Sequence, residues 1–189
     1  MEQETQKLTR REMVEKLLAG MAAGVAWPLI SSSHPIHQHV KNGATLDRAD
    51  AAQKASNWKP LFLNPQQNET LVALSESIVP GSEKAHVNRF IDLLLSVDST
   101  QNQKKFTASL DVFEGEAQSR FGRSFHELAA NEKDELLTSL STKGAHQKHF
   151  HDVKQWVTIA YYSSEDGMRE LGWTENRAFG VFPGCEQIS

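Results

Sequence analysis

The sequence predicts an all-α protein: a bundle of about five main helices, with an irregular C-terminal tail and an N-terminal signal segment. Three observations carry this. Apolar residues recur at helical spacing in successive segments between residues 65 and 163. Most of those segments are bounded by residues with capping chemistry. No stretch keeps a two-residue alternation between turns, so no strand is expected.

The helices follow in order. Asn64-Pro65 offers a cap and a favoured first-turn proline, Leu71, Leu74 and Ile78 form a stripe, and Pro80-Gly81 stops it. Val87, Phe90, Ile91, Leu94 and Leu95 mark a second helix. A third runs from about Gln101 to Phe121, with Phe106, Leu110, Phe113, Ala117 and Phe121 on one face and Gly122 at its end. Ser124-Phe-His-Glu127 has capping-box form. Asn131 reads as the cap of a fourth helix, with Glu132, Asp134 and Glu135 near its positive end. That helix buries Leu136, Leu137 and Leu140 and ends near Lys143-Gly144. The fifth spans about His146 to Ser163, with Phe150, Val153, Trp156, Val157, Ala160 and Tyr161 inward. From Ser164 the tail is rich in glycine and aromatics and is expected to be irregular.

Ahead of the bundle stand two different segments. Residues 1–33 read as an export signal: Arg10-Arg11 precedes an apolar run of about fourteen residues, Leu17 to Ile30. A membrane span needs roughly 20 apolar residues, so the run is short for one. The Thr-Arg-Arg opening resembles twin-arginine signals, which carry folded proteins across the inner membrane. Charges stop at Lys16 and return only at Lys41, so an ordinary amphipathic helix with a sustained polar face fits less well. Small residues at Gly24-Val25-Ala26 or Ser31-Ser32-Ser33 suit cleavage, and an uncleaved anchor stays open. Residues 34–60 are polar and aperiodic and read as a linker or extended arm, packing through Trp58, Leu61 and Phe62. Residues 61–189 form the helical domain, its tail beginning near 164.

Composition excludes more than it names. With 39% hydrophobic and 23% charged residues the chain has an ordinary globular balance. Its net charge is −4, with Lys and Arg scattered, so it lacks the basic stripe that binds nucleic acid. There is no GxGxxG, P-loop, HExxH or nucleophile elbow. His34, His37 and His39 lack a neighbouring Cys or carboxylate ligand. Of His146, His149 and His151, the first two share a helix face and the third points away, so a solvated cluster is a better reading than a metal site. No catalytic, cofactor-binding or metal residue is assigned, and the chain is not expected to be catalytic alone.

In sequence order, the matching residues are Leu71-Val-Ala-Leu-Ser-Glu-Ser-Ile-Val-Pro80, Val87-Asn-Arg-Phe-Ile-Asp92, Leu110 to Phe121, Phe125-His-Glu-Leu128 and Leu136-Leu137. Phe150, Tyr161-Tyr-Ser-Ser, Gly167, Glu170-Leu-Gly-Trp173 and Pro183-Gly184-Cys185 complete the set. This order over about residues 61–186 resembles the subunit 3 family, the small subunits of gluconate 2-dehydrogenase and related flavin-dependent sugar dehydrogenases. One departure is Ser82-Glu-Lys-Ala85 after Pro80-Gly81, where the family often reads Pro-Gly-Ala.

The resemblance implies an accessory role. The partner would be a large FAD-containing subunit of the glucose–methanol–choline type, often with a haem-bearing cytochrome c subunit as electron acceptor. The small subunit would carry the twin-arginine signal to the translocon, and the complex would be periplasmic or membrane-associated. Trp173, Phe179, Phe182, Pro183, Gly184 and Cys185 are the expected interface, since aromatics on irregular backbone are favoured anchors. Packing of these aromatics onto the bundle itself is the competing reading. The single cysteine has no internal partner, and in an oxidising compartment it pairs with the catalytic subunit or stays a shielded thiol. Two rivals stand beside this: an independent periplasmic binding or scaffold protein, and a small enzyme using the His cluster with a metal. The sugar or polyol oxidised is not written in this chain.

Overall fold

The computed structural model describes Ala44, residues 57–142 and residues 144–172. The signal residues Arg10 and Arg11 and the expected interface, Trp173, Phe179, Phe182, Pro183, Gly184 and Cys185, lie outside the described residues. From residue 57 to 172 the chain forms six α-helices and two 3-10 turns, and no strand occurs among the described residues. The all-α bundle expected from the sequence is what forms.

Helix α1, Pro65–Ile78, starts where its chemistry says it must. Asn64 Oδ1 accepts from the Gln67 N–H at 2.8 Å, and the Gln67 side chain accepts from the Asn64 N–H at 3.2 Å. After α1 the chain turns through Gly81, whose φ of 92° lies in the left-handed region. The Glu76 carboxylate steadies that turn by accepting from the N–H groups of Gly81 and Glu83, both at 2.9 Å.

Helix α2, Val87–Val97, is the central one. Val87, Phe90, Ile91, Leu93, Leu94 and Leu95 are all buried, and a helix apolar around most of its girth belongs inside. Helix α3, Thr100–Phe121, is capped by Ser99 and stopped by Gly122 at φ 67°. It lays Phe106, Leu110, Phe113 and Ala117 on the core. Helix α4, Ala130–Thr142, contributes Leu136, Leu137 and Leu140. Helix α5, Gln147–Tyr162, touches every other α-helix and packs Trp156 edge-on against Phe106 at 5.5 Å.

Three expectations need correction. Asn131 is not the cap of α4: the helix begins at Ala130, and Glu132 reaches back to accept from the Ala129 N–H at 2.8 Å. Leu61 does not pack inward but is 65% exposed, while its neighbour Leu63 enters the core. The tail is not irregular from its start, because Glu165–Glu170 forms a short helix, α6. Ser164 caps it by accepting from the Gly167 N–H at 3.2 Å, with Glu165 and Asp166 in its first turn.

Candidate functional site

Four groups of polar side chains in the described bundle bear on the arm, the tail, the helix joints and the expected histidine cluster. The first is the root of the N-terminal arm. Asp92 is fully buried in α2, and its carboxylate accepts three consecutive backbone N–H groups: Leu61 at 2.6 Å, Phe62 at 3.1 Å and Leu63 at 2.8 Å. A buried carboxylate is tolerable only when its charge is met by donors, and this fan of amides does that. Arg89, one turn earlier, sets its guanidinium 5.3 Å from the Trp58 ring centroid. The expected arm is therefore fastened at residues 58–63 by α2.

The second is the corner from which the tail departs. The Ser164 hydroxyl donates to the Tyr161 carbonyl at 2.6 Å while accepting from Gly167. Gly167 sits against the same carbonyl: a Cβ there would lie 2.3 Å from the Tyr161 oxygen. On the ring side, Gly81 approaches so closely that its Cβ would meet Tyr161 Oη at 3.2 Å. Burial raises the Tyr161 pKa above its ordinary value of 10.0, and the Glu170 and Asp166 carboxylates add to the rise. The corner ends at Gly172, φ 73°, beside Leu171, which is 60% exposed.

The third is a polar cleft of about 330 Å3 between the start of α1 and the middle of α3. Glu114 forms its base, accepting from Gln66 Nε2 at 3.3 Å, Thr70 Oγ1 at 3.1 Å and the Phe125 N–H at 3.2 Å. Burial works against its ionised form, but these bonds and one from the Ser124 side chain outweigh it, and the Glu114 pKa is lowered. One carboxylate thus ties α1, α3 and the Phe125–Glu127 turn together.

The fourth is the histidine cluster. His146 and His149 do share a face, with ring centroids 6.4 Å apart. Ser109 Oγ lies 3.0 Å from both the Lys105 carbonyl and His149 Nδ1, within hydrogen-bond reach of each. His146 Nε2 stands 3.7 Å from Glu116, and His151 is exposed against Phe150. No group of three potential ligands could hold a metal ion among the described residues. His34, His37 and His39 lie outside the described residues.

The bonds at Asp92, Tyr161 and Glu114 join helices to loops; they do not align a nucleophile with a base. Among the described residues these bonds fasten residues 61–63 and the α5–α6 corner to the bundle. The family model described as gluconate 2-dehydrogenase subunit 3 matches residues 65–184, from the first residue of α1 to the residue before Cys185. The chain belongs to that family, whose members are subunits of a gluconate dehydrogenase complex, and a catalytic partner is implied. Comparison with curated proteins and with solved structures gives no match.

The sequence faces Tyr161 inward, as found, but places Asp92 and Gly167 inside motifs without a role. An Asp set among Phe90, Ile91, Leu93, Leu94 and Leu95 and a Tyr-Tyr-Ser-Ser…Gly spacing were the available signals.

Proposed function

We propose that this chain is the noncatalytic small subunit of a periplasmic FAD-dependent sugar or polyol dehydrogenase complex. It binds, stabilises and escorts the flavoprotein subunit through twin-arginine export. The single observation that carries this reading is the subunit 3 match across residues 65–184. Arg10-Arg11 ahead of the Leu17–Ile30 apolar run supports the export part. FAD belongs to the partner, and electrons leave the complex through a cytochrome c haem. Trp173, Phe179, Phe182, Pro183 and Gly184 contact the partner, and Cys185 forms a disulfide with it. A route that accepts folded cargo suits a partner that must bind its flavin before export.

The test is to replace both arginines with lysine and follow the partner. R10K/R11K is expected to leave dehydrogenase activity in the cytoplasm. Flavoprotein that still reaches the periplasm in that variant, or in cells lacking this chain, would contradict the escort role.

A further inference from the structure

Helix α6 is only six residues long, and helices shorter than about 12 residues are marginal on their own. Its place must come from what it touches. It lies on α5, with Gly167 and Met168 buried. Two further contacts tie it to the turn between α1 and α2. Lys84 Nζ donates to Asp166 Oδ1 at 2.8 Å across 82 positions of sequence. The Glu170 carboxylate reaches the Tyr161 phenol from the last turn of α6, and the same ring lies against Gly81.

The turn itself is well anchored. Glu76 holds the Gly81 and Glu83 N–H groups, the Ser82 hydroxyl donates to the Val79 carbonyl at 2.6 Å, and Ala85 is buried. Lys84, by contrast, is exposed and Asp166 half-buried, so the core does not depend on their pair. What the pair holds is α6, and with it Gly172, against the turn. The described bundle ends there, and Trp173 follows.

We propose that Lys84 and Tyr161 are positioning residues for the partner interface. They clamp α6 to the α1–α2 turn and so fix the point from which residues 173–185 start towards the catalytic subunit. Neither touches the partner; a fixed starting point spares the ordering that a loosely rooted tail would need on binding. Resting on the complex reading above, the clamp adds residues outside the expected interface on which that interface depends.

The test compares the tagged wild-type chain, K84E, D166K and the double variant K84E/D166K, each expressed in and purified from the native cells. Reductant is present, so that capture reports contacts other than a Cys185 disulfide. Each single reversal sets like charges together and is expected to speed amide exchange across residues 165–171 and to lower captured flavin about fivefold. Global melting is expected to stay within about 2 °C, because the pair is exposed. The double variant restores the attraction and is expected to recover both exchange and capture. Tyr161→Phe keeps the ring against Gly81 but loses the phenol, and is expected to weaken capture in the same direction. Unchanged capture in the single reversals would overturn the proposal and leave the complex reading standing. So would lost capture that the double variant fails to restore, since the charges would then meet the partner directly. A wild-type chain that captures no flavin, from cells in which sugar dehydrogenase activity is present, would overturn the complex reading and this proposal with it.

Discussion

Asp92 Oδ1 accepts the Leu63 N–H at 2.8 Å across 29 positions of sequence, inside the core. This bond and its two neighbours at Leu61 and Phe62 fix where the N-terminal arm meets the bundle. Asp92→Asn keeps the shape but puts an amide NH2 where one oxygen accepted. The substitution is expected to cost about 2 kcal/mol, because a buried N–H is left facing a donor. Urea denaturation measures it, and amide exchange at residues 61–63 should quicken more than elsewhere.

Gly167→Ala is expected to be far more damaging than its volume suggests. The added methyl would sit 2.3 Å from the Tyr161 carbonyl oxygen, a backbone atom that cannot rotate away. A loss of about 3 kcal/mol is expected. Thermal unfolding that matched the wild type would show that the α5–α6 corner has more room than this geometry allows.

Glu114 makes acid sensitivity traceable to one side chain. Its folded pKa lies below the ordinary 4.5, so its contribution is complete above that pH and disappears as pH falls through the folded value. Glu114→Gln should flatten this limb of the stability–pH curve and lower stability at neutral pH. Equal acid slopes in the two proteins would assign the acid loss to other carboxylates.

At the alkaline end the sign reverses. The chain has two tyrosines, and the folded state holds Tyr161 protonated beyond its ordinary 10.0. Stability from that phenol is present below pH 10.0 and is lost as pH rises through the folded value. Spectrophotometric titration should show the Tyr161 phenol ionising late, and Tyr161→Phe should remove that late step.

What was legible in the sequence was local. The Asn64 cap, the Gly122 stop and the Ser124–Glu127 box are contacts within four residues, and composition alone announces them. Asn131 misled because a good capping residue sat two positions inside α4, where Glu132 had taken over the reach back to Ala129. Helix α6 was missed because six residues with a central glycine show no period. The Asp92 fan and the Glu114 knot bridge 11 to 48 positions, and a single sequence holds no sign of which backbone groups a side chain will meet.

The central claim is that this chain works as the small subunit of a flavoprotein dehydrogenase. Purifying the tagged chain from its native cells, under conditions in which sugar dehydrogenase activity is present, tests that most directly. The account predicts a complex with the visible absorbance of flavin, whose two chains run together on a non-reducing gel and separate with reductant or in Cys185→Ser. A colourless chain that elutes alone under the same conditions would contradict it.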